Sequence, residues 1–506
     1  MIFKEQITTQ RIIYATRAPI FFSLLWCLGS NSFAGLRADL IIVNGDVRTM
    51  DRKNPKAEAV AVSGGKFTAV GSNAAIRSLA GDSTRVVDAA GRIVLPGFND
   101  AHVHFAAIGN KFSTIDLRSA RTSAEAAAML ENYVRFLPKG RWILGGGWNA
   151  ANLPSRQTVD PITPDNPVFV YSSDANAAFA NAVALSKAKI TKLTRDPNGG
   201  VIERDADGRP TGILRGSAVR LAAAVVPPDH TRNWPEVLQT ASNYAASLGV
   251  TSVQDMHSDE LGDVYRQLER EGKLKTRVYD CSPISAWQRL AAKNVKAATG
   301  DAMVRTGCVK AFSDGDEADA SQLRRDIAGA DKAGLQVMAH AIGPKANGIV
   351  LDAFENAISL NGRRDRRFRV EHAQDADAAD LIRFRRSYII ASMQPWLFNR
   401  TNPSIYKRHL QLGTELAFGS DASIADFDPL LGIRTASGTG RIDLDAAIFA
   451  YTAGSGFAEF QEKVKGTIAV GMLADAVILS AGLFNDSQIE LTIVDGSVVY
   501  RKIGTL

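Results

Sequence analysis

Through the middle of the chain, apolar runs of strand length alternate with longer stretches of helical periodicity such as 233–248 and 352–360. Parallel neighbours cannot be joined by a tight turn, so this alternation points to a parallel α/β sheet with helical crossovers. Eight such runs stand out, at 93–95, 251–253, 277–279, 307–309, 336–338, 368–370, 388–390 and 415–418. Eight parallel strands close a barrel, and the fold expected is a (β/α)8 TIM-type barrel over residues 93–455. Residues 122–223 fall outside the count and read as an insertion. It contains a hairpin at 201–203 that turns at Asp207-Gly208 toward Ile213-Leu214.

Both ends of the chain have a different character. Short β-type segments at 38–43, 59–62, 67–70 and 85–87 are punctuated by Asn44-Gly45, Gly64-Gly65 and Ala90-Gly91. Similar segments return at 474–479, 489–494 and 498–500. Residues 35–92 and 456–506 are therefore expected to build one small β-sandwich, with the barrel inserted between its halves. Ahead of it, Lys4, Arg11 and Arg17 precede an apolar run at 19–28 and then Ser32-Phe33-Ala34. That order is expected of a secretory signal peptide over 1–34, with a secreted or periplasmic product. The run is shorter than the roughly 20 apolar residues of a membrane-spanning helix, so no stable membrane anchor is expected.

The 506 residues carry a net charge of +6, from 59 basic and 53 acidic side chains spread along the chain. Without long Lys/Arg runs or interleaved aromatics, this reads as solubility and not as a nucleic-acid groove. Cys281 and Cys308 would remain after signal cleavage; they could pair in an oxidising compartment, but two cysteines in so long a chain make no disulfide scaffold, and free buried thiols are the reading preferred.

The chemistry follows the ends of the expected strands, where barrel enzymes open their βα loops. His102 and His104 stand two apart, a spacing that points both imidazoles to one side of an extended strand. Of seven histidines, two more, His340 and His372, also lie just past strands, and Asp421 follows the eighth. Four imidazoles and a carboxylate form a nitrogen-and-oxygen set suited to zinc or a similar divalent ion.

Leu95-Pro-Gly-Phe98 with its His-x-His, Val309-Lys310-Ala-Phe-Ser-Asp-Gly315, His340-Ala-Ile-Gly343, Val370-Glu-His-Ala-Gln374 and Gly419-Ser-Asp421 occur in the order usual for the amidohydrolase superfamily. The chain most resembles its amidohydrolase-3 branch, which includes the N-substituted formamide deformylases. The likeness runs from Ala38 to the C-terminus and takes in Tyr451-Thr-Ala-Gly454 and the segment from Lys465 to Asp475. The resemblance implies that Lys310 is N6-carboxylated and bridges two ions, one held by His102, His104 and Asp421 and the other by His340 and His372. It also places Trp148 near the substrate. Asp174-Ala-Asn176 stands where relatives often have Asp-Gly-His, which leaves Asn176 in a substrate-facing place. The connection after Asp314-Gly315 is shorter than the usual lid, and Pro344 replaces an acidic residue.

The activity implied is metal-dependent hydrolysis of a C–N bond in an amide, formamide or cyclic amide. Asp421 is the catalytic proton carrier, and the partner is a small-molecule substrate. Two alternatives remain open at this point: ester-type C–O hydrolysis by the same site, and a non-catalytic or regulatory protein that keeps the barrel. The sequence sets neither the substrate nor the oligomeric state.

Overall fold

In a computed structural model of the chain, the residues described are 37–503 apart from 113, 150, 153–154, 175, 228–232, 257–260, 398–403, 423, 439–440 and 481–486. The expected signal segment lies outside them. Eight strands lie side by side in chain order. They are β1 (Phe98–Val103), β2 (Val250–Asp255), β3 (Arg277–Pro283), β4 (Val304–Ser313), β5 (Gln336–Ala341), β6 (Arg369–Glu371), β7 (Ile390–Met393) and β8 (Leu416–Phe418). Every pairing between neighbours in this row is parallel. The remaining gap, between β8 and β1, is bridged just beyond the strands. Val103 pairs with Ala422, the Asp421 N–H donates to the His102 carbonyl at 2.8 Å, and the His104 N–H donates to the Ala422 carbonyl at 2.6 Å.

Burial on both faces explains why the barrel strands read as nearly unbroken apolar runs. Val309, Ala311, Val337 and Ala339 pack against Ile327, Val350 and Phe354 of the outer helices α2 (Glu317–Lys332) and α3 (Pro344–Asn361). Local signals set the helix ends. The Asp316 carboxylate caps α2 by accepting the Ala318 N–H at 2.9 Å. The first residue of α3 is Pro344, which has no N–H to satisfy there, and the helix stops at Gly362 with φ 75°. Pro344 thus has a structural reason.

One expected strand is corrected. Ile93–Pro96 is not in the barrel; it pairs with Asp46–Arg48 and Ala476–Leu479 in the terminal domain. The first barrel strand is Phe98–Val103, whose Asn99, Asp100 and His102 are buried polar residues that make the segment read as too hydrophilic for a strand. Between the two, a Cβ on Gly97 would lie 2.1 Å from the Thr251 Oγ1, so only glycine lets the chain pass from sheet to sheet there.

The terminal domain faces a four-stranded sheet (Leu40–Val43, Ala59–Ser63, Lys66–Gly71, Arg85–Asp88) against a six-stranded one that mixes both chain ends. Ile42, Val60 and Phe67 meet Val94, Ile478 and Leu491 in its core. A buried, bidentate ion pair from Arg277 of β3 to Asp475, at 2.7 and 2.8 Å, ties this domain to the barrel. A further six-stranded sheet spans Ile115–Asp116 to Pro210–Gly216 and ends in the Gly200–Arg204 hairpin. No helix among the described residues is long and apolar enough to cross a membrane.

The free-thiol reading is corrected as well. Cys281 and Cys308 are direct partners in the β3–β4 register and form a disulfide. Parallel pairing joins residues 27 apart in sequence, a proximity that spacing alone does not reveal.

Candidate metal centre

Barrel closure assembles the site. The hydrogen bonds that stitch β8 to β1 run through His102, His104 and Asp421 themselves, so closing the sheet brings their side chains together. Asp421 sits at φ 57° and His372 at φ 75°, left-handed conformations that turn the chain sharply at the strand ends. Gly419 allows the closest approach, since a Cβ there would lie 2.4 Å from the His102 backbone nitrogen.

The His102 Nδ1 lies 2.7 Å from the buried Glu371 carboxylate. A carboxylate accepts, so Nδ1 carries the proton and Nε2 presents its lone pair to the interior. That Nε2 stands 3.1 Å from the Lys310 Nζ and 3.5 Å from the Asp421 Oδ1. The His104 Nε2 is also 3.5 Å from Oδ1. The His372 ring lies tilted 4.9 Å from that of His102 and edge-on 4.5 Å from that of His340, and its Nδ1 is 2.7 Å from the Gln394 Oε1.

Charge in this cluster is displaced in one direction. Burial, reinforced by Lys310, pushes the His102 imidazole well below its ordinary value, and burial with the adjacent His102 does the same to His372. His340 is lowered by burial and by Lys310. Burial brings the Lys310 amine down to about 8 and raises the Asp421 carboxyl to about 6. Neutral imidazoles with free lone pairs are the form that binds a cation.

The Asp421 Oδ1 accepts no hydrogen bond among the described residues although it is buried. A buried carboxylate oxygen without a donor is costly unless a cation satisfies it. His102, His104 and Asp421 offer ligand atoms within 4.8 Å of one another. Ligands bonded to zinc at about 2.0–2.1 Å in a tetrahedron stand about 3.3–3.4 Å apart, close to the 3.5 Å found here. The residues fit a divalent ion.

The family model described as "Amidohydrolase family" matches residues 85–500. The chain belongs to the Amidohydrolase family. A relative from Arabidopsis thaliana, Protein LONG AFTER FAR-RED 3, is 34% identical over 93% of this chain and 91% of its own length. The N-substituted formamide deformylase of Arthrobacter pascens is 27% identical over 92% of this chain and 99% of its own. Among solved structures, an uncharacterized metal-dependent hydrolase from Pyrococcus furiosus superposes with a TM-score of 0.58 at 24% identity, covering 88% of this chain and all of that one. Its likeness concerns the fold.

This amidohydrolase barrel brings together His102, His104, Lys310, His340, His372 and Asp421, and does not bring Trp148 or Asn176 among them. The Trp148 indole is buried in the core of the inserted sheet, where Nε1 donates to the Val170 carbonyl at 2.8 Å. Asn176 is exposed in a turn, with its backbone N–H held by the Asp174 Oδ1 at 3.1 Å.

Sequence reasoning passed over Glu371, Arg369, Gln394 and Asp100. Arg369 grips both Glu371 oxygens, at 2.8 and 3.1 Å, and so fixes the carboxylate that orients His102. Burial raises the Asp100 carboxyl to about 7, while it accepts the backbone N–H groups of His102 and Ser420, each at 3.0 Å. Asp100 and Glu371 each lie within two residues of a ligand histidine, a signal that was legible. Arg369 and Gln394 are identified only by contact.

Proposed function

We propose that the protein hydrolyses a C–N bond of a small amide, formamide or cyclic amide at this centre. The observation that carries the reading is the buried Asp421 Oδ1, with no hydrogen-bond donor among the described residues, 3.5 Å from two imidazole Nε2 atoms. A divalent ion, zinc by the chemistry of the donors, would lower the pKa of water toward neutrality and polarise the scissile carbonyl. His102, His104 and Asp421 would hold that ion. His340 and His372, with Lys310 carboxylated, would hold a second. Carboxylation joins the neutral Lys310 amine to CO₂ and releases one proton, and an amine lowered to about 8 is more readily neutral than an ordinary lysine.

Asp421 would take the proton from the attacking water at the carboxylate oxygen that the ion does not occupy and return it to the leaving nitrogen, which departs as an amine while the acyl group leaves as a carboxylic acid. Glu371, gripped by Arg369, keeps His102 in the tautomer that binds. Phe312, exposed at the end of β4, and Ile342, Trp396 and Ile424, exposed past the strands, offer apolar surface to a substituent. The short 314–316 connection from β4 to α2 leaves that side of the mouth uncovered.

Export to an oxidising compartment is part of the proposal, and the buried Cys281–Cys308 disulfide supports it. The regulatory reading is disfavoured by retention of every ligand position, since a scaffold that has lost its chemistry has no need of an unpaired buried carboxylate.

The test is a panel of formamides, N-acyl amino acids, cyclic amides and aryl esters with zinc-loaded protein and its Asp421→Asn variant. Amide turnover is expected, with a loss of about 10²–10⁴-fold in the variant while much of the metal stays bound. Ester turnover alone, or activity unchanged by Asp421→Asn, would overturn the assignment.

A further inference from the structure

At the opposite end of the barrel from the metal centre, a cavity of about 850 Å³ opens beside the start of β6 and β7. Part of its wall is a dense basic run, Arg363-Arg-Asp-Arg-Arg-Phe368, which continues to Arg369. Folding divides these arginines by role. Arg366 is buried against Asp331 at 2.8 Å, and Arg367 against Glu462 and Asp365 at 2.7 and 3.1 Å. Arg369 points into the barrel.

Three cations remain turned to the cavity. Arg364 reaches Asp331 through one Nη2 only, leaving its other donors open. Arg386, with a side chain 66% exposed, reaches Glu355 through Nη2 alone, at 2.9 Å. Arg363 is exposed and forms no ion pair among the described residues. Five arginines line the cavity; Arg366 and Arg367 are matched by Asp331, Asp365 and Glu462, while Arg363, Arg364 and Arg386 against Glu355 leave the wall positive, so its field favours an anion.

The rest of the wall is apolar and aromatic, with Ile358, Phe457 and Tyr388. Tyr388 is 68% exposed and sits at φ 54°, an unusual conformation for a bulky residue. Its ring lies 5.7 Å from the Arg385 guanidinium. Guanidinium forks match phosphate oxygens two at a time, and a flat exposed ring beside them offers a stacking face. The volume lies within the range of small-molecule sites.

We propose that this cavity binds a small organic phosphate bearing an aromatic group. The phosphate lies between Arg363, Arg364 and Arg386, and the ring lies against Tyr388 and Phe457. The site is separate from the metal centre, so its ligand acts as a second, non-reacting ligand.

Calorimetric titration of the full, metal-loaded protein with phenyl phosphate tests this, with inorganic phosphate and phenol as partial ligands. One site per chain is expected, with phenyl phosphate at least tenfold tighter than either part and weakened by 0.5 M salt. Arg363→Ala combined with Arg386→Ala should lower affinity at least tenfold. Tyr388→Asn, which tolerates a left-handed φ, should remove the preference for phenyl phosphate over phosphate. The proposal is overturned by absence of saturable binding at millimolar phenyl phosphate, or by binding that survives in the arginine variant, which would place the phosphate elsewhere, the metal centre included.

Discussion

Gly419→Ala tests whether closure of the barrel is what builds the metal centre. The added Cβ would meet the His102 nitrogen at 2.4 Å, the Asp100 Oδ1 at 2.7 Å and the His102 Cα at 3.1 Å. Ordinary contacts begin near 3.4 Å, so β8 and β1 must separate by about 1 Å, and the nearest obstructing atom is His102 backbone that cannot rotate away. Overpacking of this kind costs about 1–3 kcal/mol. The functional cost is larger, because the strained seam carries His102, His104 and Asp421 on its two sides, and a 1 Å misplacement costs about 10²-fold in rate. The assay is metal content and zinc affinity after dialysis, thermal unfolding, and kcat/KM on whichever panel substrate is turned over. Zinc affinity is expected to fall at least tenfold and kcat/KM about a hundredfold, with a fall of a few degrees in Tm. Gly348→Ala is the control, since its Cβ would meet only the Asp380 Oδ2 at 3.7 Å, and it should be neutral or slightly stabilising. A Gly419→Ala protein with the metal affinity and Tm of the parent would refute the claim that the β8–β1 approach positions the ligands.

Lys310→Ala should lower metal content and activity, and acetate or propionate should restore part of both by replacing the carbamate; unchanged metal content returns Lys310 to a packing role. Replacing Cys308 by Ala opens a crosslink between residues 27 apart, for which chain entropy predicts a loss of about 3.5 kcal/mol in urea unfolding at pH 7. A loss below 1 kcal/mol would mean the bond contributes little. Burial pushes His409 down to about 4 from its ordinary 6.5. Because the unfolded chain takes up that proton first, His409 costs nothing above pH 6.5, and its neutral burial forfeits about 3 kcal/mol as pH falls from 6.5 to 4. His409→Phe should therefore lose less stability than the parent between pH 7 and pH 4.5, and parallel urea midpoints would contradict the assignment.

Periodicity alone placed seven of the eight barrel strands, because burial on both faces forces apolar runs whatever the neighbours are. It failed at β1, where the barrel interior accepts Asn99, Asp100 and His102 and so erases the signal, while the genuinely apolar 93–95 segment belongs to the sandwich. The residue types that cluster at the candidate centre were also legible, since metal chemistry restricts candidates to a few side chains at strand ends. Their joint placement was not. Asp421 meets His102 and His104 across more than 300 residues only because eight strands of the right tilt and order close on themselves. The same closure decides what sequence distance conceals: that Cys281 faces Cys308, that Arg369 holds the carboxylate behind His102, and that Trp148 packs inside the inserted sheet. Residue chemistry is local and can be read along the chain, whereas the distances that turn it into a site belong to the three-dimensional packing of distant segments.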